Sequence, residues 1–202
     1  MRAAYIFQEP CLKCVCVAHI VTAMTQAPLR DHARTSNLLG ALAMGVSDAV
    51  RAAAERQTAR SGETPAALVA LGHVAGINID SLSRVLGLSH AGTVRLVDRL
   101  VADGMVERRP GASDGRTVAL HLTRGGRERR RQVLAERRAA IDGVISPLSE
   151  PERVRLAQLL EKLLSGLPRD PLHAFSICRL CEDAVCTPCP IDAALASDEP
   201  AG

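Results

Sequence analysis

The chain has 202 residues, 47% hydrophobic but only 1% aromatic and without tryptophan, so its core is left to Leu, Val, Ile and Ala, which favours helices packed through aliphatic seams. The formal net charge of +3 is uneven: Ile79 to Arg138 holds 13 basic against 7 acidic residues, and Pro168 to Gly202 holds 2 against 6. A basic middle suits a polyanionic partner or a solvated Arg-rich face, and no apolar run is long enough to span a bilayer.

Residues 1–34 read as an N-terminal tail. Lys13 precedes Val15, Val17, Ile20 and Val21 in a weak echo of a signal-peptide core, which Cys14, Cys16 and His19 interrupt. Met24 opens a polar stretch at which translation can also begin, which would leave residues 1–23 non-native. From residue 35 to 64, Leu38, Leu42, Val46 and Val50 recur every four residues with Leu39 and Ala53 beside them, predicting an amphipathic helix from about Thr35 to Arg60. Ser61-Gly62 ends it, and Pro65 opens a short helix through Val74. Residues 65–122 then form a separate lobe. Asp80 or Ser81 is expected to cap a short helix through Leu82, Val85 and Leu86, and Gly87 breaks it. Ser89 caps the next helix, with Val94, Val97, Leu100 and Val101 facing inward, and Gly104 supplies its left-handed stop. Two short helices about a tight glycine turn make a helix-turn-helix.

Val106–Arg109 reads as a strand, Pro110 to Gly115 as turn chemistry, and Arg116–Leu122 as a second strand with Val118, Leu120 and Leu122 on one face. A hairpin directly after a helix-turn-helix is a wing. Residues 123–167 hold two helices. Thr123 caps the first, which reaches about Ile145, and Pro147 and Ser149 break it. The second, from Val154 to Leu167, is apolar on more than one side, as a helix facing a partner subunit would be. The fold class is therefore mainly α with a small β-hairpin wing: a winged helix-turn-helix lobe between N- and C-terminal dimerisation helices.

The run Leu88-Ser89-His90-Ala91-Gly92-Thr93-Val94-Arg95-Leu96-Val97-Asp98-Arg99-Leu100 resembles the recognition helix of MarR-type regulators. Gly104-Met105-Val106-Glu107-Arg108-Arg109, Ser113-Asp114-Gly115-Arg116 and Leu122-Thr123 are similar to the family's wing and the start of its next helix. The resemblance covers residues 79–127 strongly and about 35–167 compatibly, and leaves out both Cys-rich ends. It implies a homodimer on double-stranded DNA, in the cytoplasm, acting as a repressor under a small-molecule effector. The N-terminal part of such a helix enters the major groove, about 12 Å wide, where base edges are distinguishable. Ser89, His90, Thr93 and Arg95 are expected on that face, with Arg95 the candidate for a bidentate contact to guanine. His90 can equally stay solvated. The resemblance also implies that Arg99 contacts the wing or the backbone. Arg108 and Arg109 are candidates for phosphate contacts. Arg116 can reach an adjacent minor groove, and Asp114 can orient it or simply close the turn. Of Arg127, Arg129, Arg130 and Arg131, four arginines in five residues, only one or two can face the DNA.

Residues 168–202 form a Cys-rich tail. Cys178, Cys181, Cys186 and Cys189 make two Cys-x-x-Cys pairs, enough for a tetrathiolate zinc site, and the tail has little apolar content to fold on without a metal. Part of the spacing also suits an iron–sulfur cluster, and a thiol switch is a third reading. His173 can replace a thiolate or be an ordinary linker residue. Cys11, Cys14 and Cys16 can join such a site from a partner chain. A thiol or iron–sulfur redox protein is the alternative function, and a nucleoid-type binder without sequence preference a third. No Gly-rich phosphate loop, Ser-His-Asp set or paired carboxylate points to an enzyme, and His73 and Asp48 read as unconnected polar positions.

Overall fold

In the computed structural model, residues 32–58, 62–111 and 117–197 are described. The chain falls into two compact units, residues 1–45 and 46–202. Helix α1 (His32–Thr58) begins in the first and ends in the second. In the first unit its Leu38, Leu39 and Leu42 are exposed.

The second unit contains α2 (Thr64–His73), α3 (Ile79–Leu86), α4 (His90–Ala102), strands β1 (Val106–Pro110) and β2 (Val118–Leu122), then α5 (Arg124–Ile145), α6 (Glu150–Ser165), α7 (Pro171–Cys178) and α8 (Pro190–Ser197). The mostly helical architecture with one antiparallel hairpin is the one the sequence predicts. Its core is aliphatic: Leu68, Leu71, Leu82, Val85, Val97, Leu100 and Leu120 are all buried. A smaller cluster joins Ala54 of α1 to Val69 of α2 and to Val133 and Leu134 of α5.

Local chemistry sets the boundaries. Asn78, not Asp80 or Ser81, caps α3: its side chain accepts from the Ser81 N–H at 2.8 Å, so the cap lies a few residues earlier than expected. Gly87 takes φ 66, which favours glycine, and turns the chain into α4. Ser89 caps α4 by accepting from the Gly92 N–H at 3.1 Å. Thr123 caps α5 by accepting from Gly126, and its own hydroxyl donates to the Gly104 carbonyl at 2.6 Å. A side chain on Gly126 would collide with the Met105 carbonyl, so glycine lets α5 leave the wing closely. At α6, the Glu152 carboxylate accepts from the Ser149 N–H at 2.8 Å and from its hydroxyl at 2.6 Å; these bonds hold its pKa below the usual carboxylate range.

The hairpin pairs Val106 with Leu122 and Arg108 with Leu120. Leu120 also bonds outward: its carbonyl accepts from the Gly76 N–H at 3.0 Å, and its N–H donates to the Ile77 carbonyl at 3.1 Å. The hairpin is thus stitched to the segment that enters α3. Val118 departs from the expected face. It is exposed at the open end, while Ala119, Leu120 and Leu122 are buried.

The tail differs most from expectation. It is not an isolated strip awaiting a core. Helix α7 packs on α3, and α8 packs on α6 and α7. Leu172, Phe175 and Leu180 pack against the lobe's core, Ala174 and Ile191 are buried, and the Ser176 hydroxyl donates to the Val85 carbonyl at 2.7 Å. Among the described residues, no helix is long and apolar enough to cross a membrane.

Candidate nucleic-acid interface and thiol cluster

Helix α4 is two-faced. Thr93, Leu96, Val97 and Leu100 point into the lobe at the three- and four-residue spacing of one helical stripe. Arg95, Asp98 and Arg99 are exposed on the other side, and Ser89 and His90 are exposed at the helix start. This corrects two expectations. Thr93 is 0% exposed, and its hydroxyl donates to the Ser89 carbonyl at 3.1 Å, so it holds the helix start and has no reach to a base. Val94 is only half-buried, and Leu96 takes its place in the core.

His90 is exposed and paired: its Nδ1 lies 2.7 Å from the Asp80 carboxylate on α3, bracing the two helices across the turn. Arg95 and Arg99 stand exposed one turn apart on the same face, Arg95 in mid-helix and Arg99 in the last turn. On the hairpin, Arg108 bonds the Asp98 carboxylate at 2.6 Å. The helix-to-wing link thus runs through Asp98 and Arg108. Arg109 pairs with Glu107 at 2.5 Å. Asp114 and Arg116, assigned to the wing tip, lie outside the described residues.

The arginines of α5 divide by role. Arg127 donates to the Leu122 carbonyl at 2.8 Å, fixing the helix to β2. Arg131 pairs with Glu128, and Arg130 reaches Asp183 of the tail at 3.0 Å, while Arg138 pairs with Glu182. Two of these basic residues therefore hold the tail down.

The tail's contact with the lobe centres on His73, which is not the unconnected residue the sequence suggests. Its Nε2 lies 3.0 Å from the Cys181 carbonyl, and its ring stacks on Phe175 with centroids 6.0 Å apart. Burial lowers its pKa, against the opposing pull of Asp183. A neutral imidazole donating Nε2–H satisfies the carbonyl.

All four tail cysteines are free and line one cavity of about 500 Å³. Cys178 ends α7, Cys189 precedes α8, and Cys181 and Cys186 lie on the connecting segment. Hydrogen bonding with Cys178 draws the Cys181 thiol down to about 6, against burial and with help from Arg137; the same interaction, then burial, pushes Cys178 up. Burial, then Cys189 and Cys181, pushes Cys186 up. His173 does not line this cavity. Its backbone N–H donates to the Asp170 carboxylate that caps α7, and its ring lies beside Arg169. Among the described residues, no three His, Cys, Asp or Glu side chains stand close enough together to hold a metal ion as placed. Cys11, Cys14 and Cys16 lie outside the described residues.

A second cavity, of about 520 Å³, is lined by apolar Val50, Ile141 and Leu180 and by the charged Arg51, Arg137 and Arg179 together with Glu55 and Glu63, the last of which pairs with Arg179. Nothing in the sequence marked it, because its walls come from α1, α5 and the tail, far apart in the chain.

Residues 61–117 match the family described as MarR family. The transcriptional repressor MprA of Escherichia coli (strain K12) is 37% identical over 91 residues, 45% of this chain and 52% of that protein. The chain thus spans about half the length of the curated relatives it matches. The crystal structure of wild-type MarR in its apo form from E. coli superposes with a TM-score of 0.54 at 27% identity, over 62% of this chain and 96% of that one. The Mycobacterium tuberculosis MarR family protein RV2887, solved in complex with salicylic acid, superposes at 0.51 with 25% identity, over 69% and 98%. The winged-helix fold of this chain is therefore that of MarR-family structures.

Proposed function

We propose that this chain is a MarR-type transcriptional regulator, a repressor that binds a near-palindromic operator as a homodimer. The observation that carries the reading is the two-faced α4. It is capped at Ser89, locked into the lobe by Thr93, Leu96, Val97 and Leu100, and leaves Ser89 and His90 exposed at its start and Arg95 and Arg99 exposed on the face away from the core. In such a helix the open N-terminal part enters the major groove, where Arg95 suits the O6 and N7 acceptors of guanine. Arg108 and Arg109 suit phosphates. A carboxylate stands beside each, Asp98 of α4 beside Arg108 and Glu107 beside Arg109, and a phosphate would replace that carboxylate.

The partner subunit is a second copy of this chain. On α6, Val154, Leu159, Leu160 and Leu163 are exposed, and α6 has no buried residue. On α1, Leu38, Leu39 and Leu42 are likewise exposed. Apolar helical surface of this kind is what a symmetric dimer covers. The cavity beside Arg51, Arg137 and Arg179 suits a small anionic effector with an apolar body, in keeping with the salicylic acid complex of RV2887. Such a ligand changes DNA affinity only by preferring one arrangement of the lobes.

Selection of bound fragments from a genomic DNA pool, followed by footprinting, tests the reading. The expected footprint covers two half-sites about 10 bp apart, bound by two chains. Protection of a single half-site by a monomer contradicts it. The alternative, a redox protein built on the cysteines, is not favoured, because the matched relatives and structures are regulators.

A further inference from the structure

A cleft of about 380 Å³ lies between the end of α2, the hairpin and the start of α5. Arg109, His121, Arg127, Arg130 and Arg131 line it, and no acidic side chain does. Leu71, Ala75 and Leu122 give it apolar walls. The register pairs Glu107 with His121 and Arg109 with Ala119, so Arg109 and His121 share the face of the hairpin opposite Arg108 and Leu120. The cleft is thus apart from the Asp98–Arg108 link to α4, and it shares no residue with the cavity beside Arg51 and Arg137.

Its cations are held in place. Only 19% of the Arg130 side chain is exposed. It crosses α2 at Gly72, where any Cβ would overlap its Nε and Cδ, so glycine at that position makes room for it. The buried Nε–H of Arg130 finds no acceptor among the described residues. Arg127 is tied by one nitrogen to the Leu122 carbonyl. Glu107, Glu128 and Asp183 pair with Arg109, Arg131 and Arg130 without lining the cleft. A guanidinium has several N–H donors, so each pairing leaves others to spare. His121 is half-buried and has no hydrogen-bond partner among the described residues.

We infer that this cleft binds the phosphate group of a small phosphorylated molecule. The inference does not rest on DNA binding. Guanidinium groups that converge with no acid among them repel one another, and a buried N–H without an acceptor is costly. An oxyanion between them relieves both. Its shape decides the class. The cations approach from separate walls: Arg109 and His121 from the hairpin, Arg127 and Arg131 from α5, and Arg130 from over α2. A carboxylate offers its oxygens in one plane, whereas a phosphate offers acceptors in several directions and suits arginine forks at each. The apolar walls suit the carbon body of a phosphate ester. A cleft of this volume admits a small molecule, while a duplex could only cross its mouth. Where the hairpin also grips DNA, as proposed above, Arg109 is common to both and the small anion competes with the duplex for it; that consequence rests on the earlier reading, and the cleft does not.

The test titrates the full chain, free of DNA, with pyrophosphate, followed by calorimetry and by the imidazole NMR signals of His121. The expected result is a single saturable site, with the His121 signals moving at the calorimetric midpoint. Citrate, of comparable charge but built of carboxylates, should bind about tenfold more weakly or worse. Gly72→Ala adds no charge but displaces Arg130, and should weaken pyrophosphate binding about tenfold. Asp183→Asn removes a competing carboxylate and leaves Arg130 in place, and should keep or tighten it. Arg131→Ala should weaken it about tenfold. Absence of saturable binding overturns the inference. So does citrate bound as tightly as pyrophosphate, or unchanged affinity in Gly72→Ala, which would reduce the cleft to diffuse charge. Weaker binding by Asp183→Asn also overturns it, since the docked tail rather than the cleft would then hold the anion. Duplex DNA that moves the His121 signals where pyrophosphate does not assigns the cleft to the DNA backbone and overturns it as well. If Gly72→Ala does not fold, Arg131→Ala decides, and unchanged affinity there overturns the inference.

Discussion

The imidazole Nε2 of His73 lies 3.0 Å from the carbonyl oxygen of Cys181, across 108 residues of chain. This bond joins the last residue of α2 to the middle of the cysteine segment. Beside it, Phe175 stacks on the same ring and Arg130 bonds Asp183. The tail is therefore part of the lobe's structure.

Replacing His73 with Ala should loosen the tail without unfolding the lobe. One hydrogen bond contributes roughly 1 kcal/mol, and the lost ring contact adds to it. Hydrogen exchange should quicken across residues 171–197 while Leu82, Val97 and Leu100 keep their protection. Uniform loss of protection would mean that the tail and lobe unfold together.

Thr93→Val separates a structural residue from a reading one. The hydroxyl bonds a carbonyl that also accepts from the Thr93 N–H, so its loss should cost about 1 kcal/mol of stability or less. Operator preference should not change. A changed preference at one base pair, measured by competition between site variants, would return Thr93 to the DNA face.

Gly126→Ala should destabilise the chain, because the added methyl meets the Met105 carbonyl in a packed joint. Overpacking of this kind costs about 1–3 kcal/mol. For a chain of this size that lowers the melting temperature by roughly 2–4 °C per kcal/mol. Calorimetry of the two proteins checks it, and an unchanged melting point would show that the joint yields freely.

The Glu152 cap has a pH signature. Its folded pKa is depressed by the two Ser149 bonds, so its contribution is present above the ordinary carboxylate pKa and is lost as pH falls through the lowered value. Following the Glu152 carboxyl by NMR should show a midpoint below that of an unpaired glutamate, and Ser149→Ala should raise it. An unmoved midpoint in that variant would remove the cap from the explanation.

What was legible in the sequence was local chemistry. Ser89 and Thr123 cap their helices, Gly87 and Gly104 take positive φ, and the hairpin follows the helix-turn-helix, because each depends on neighbours within a few residues. The errors came where side-chain direction or distance decided. Thr93 is polar and near the helix start, yet it lies on the stripe of Leu96, Val97 and Leu100 and turns inward. Asp98 was not expected to hold the wing, since its bond to Arg108 depends on how the hairpin folds back. The docked tail was hidden because Ser176 meets Val85 and His73 meets Cys181 only after the chain has closed on itself. The four-cysteine spacing was plain from the start, but that all four line one cavity was not.

The central claim is that the exposed face of α4 reads DNA sequence. Titration of a selected operator against random duplex, with the unaltered chain, Arg95→Ala and Arg108→Ala at several salt concentrations, tests it most directly. The unaltered chain should prefer the operator by about 10³-fold or more. Arg95→Ala should lose about 1–3 kcal/mol of discrimination at one base pair, whereas Arg108→Ala should weaken all sequences alike and reduce the salt slope by about 1. Equal affinity of the unaltered chain for operator and random duplex, or identical behaviour of the two variants, would contradict the account.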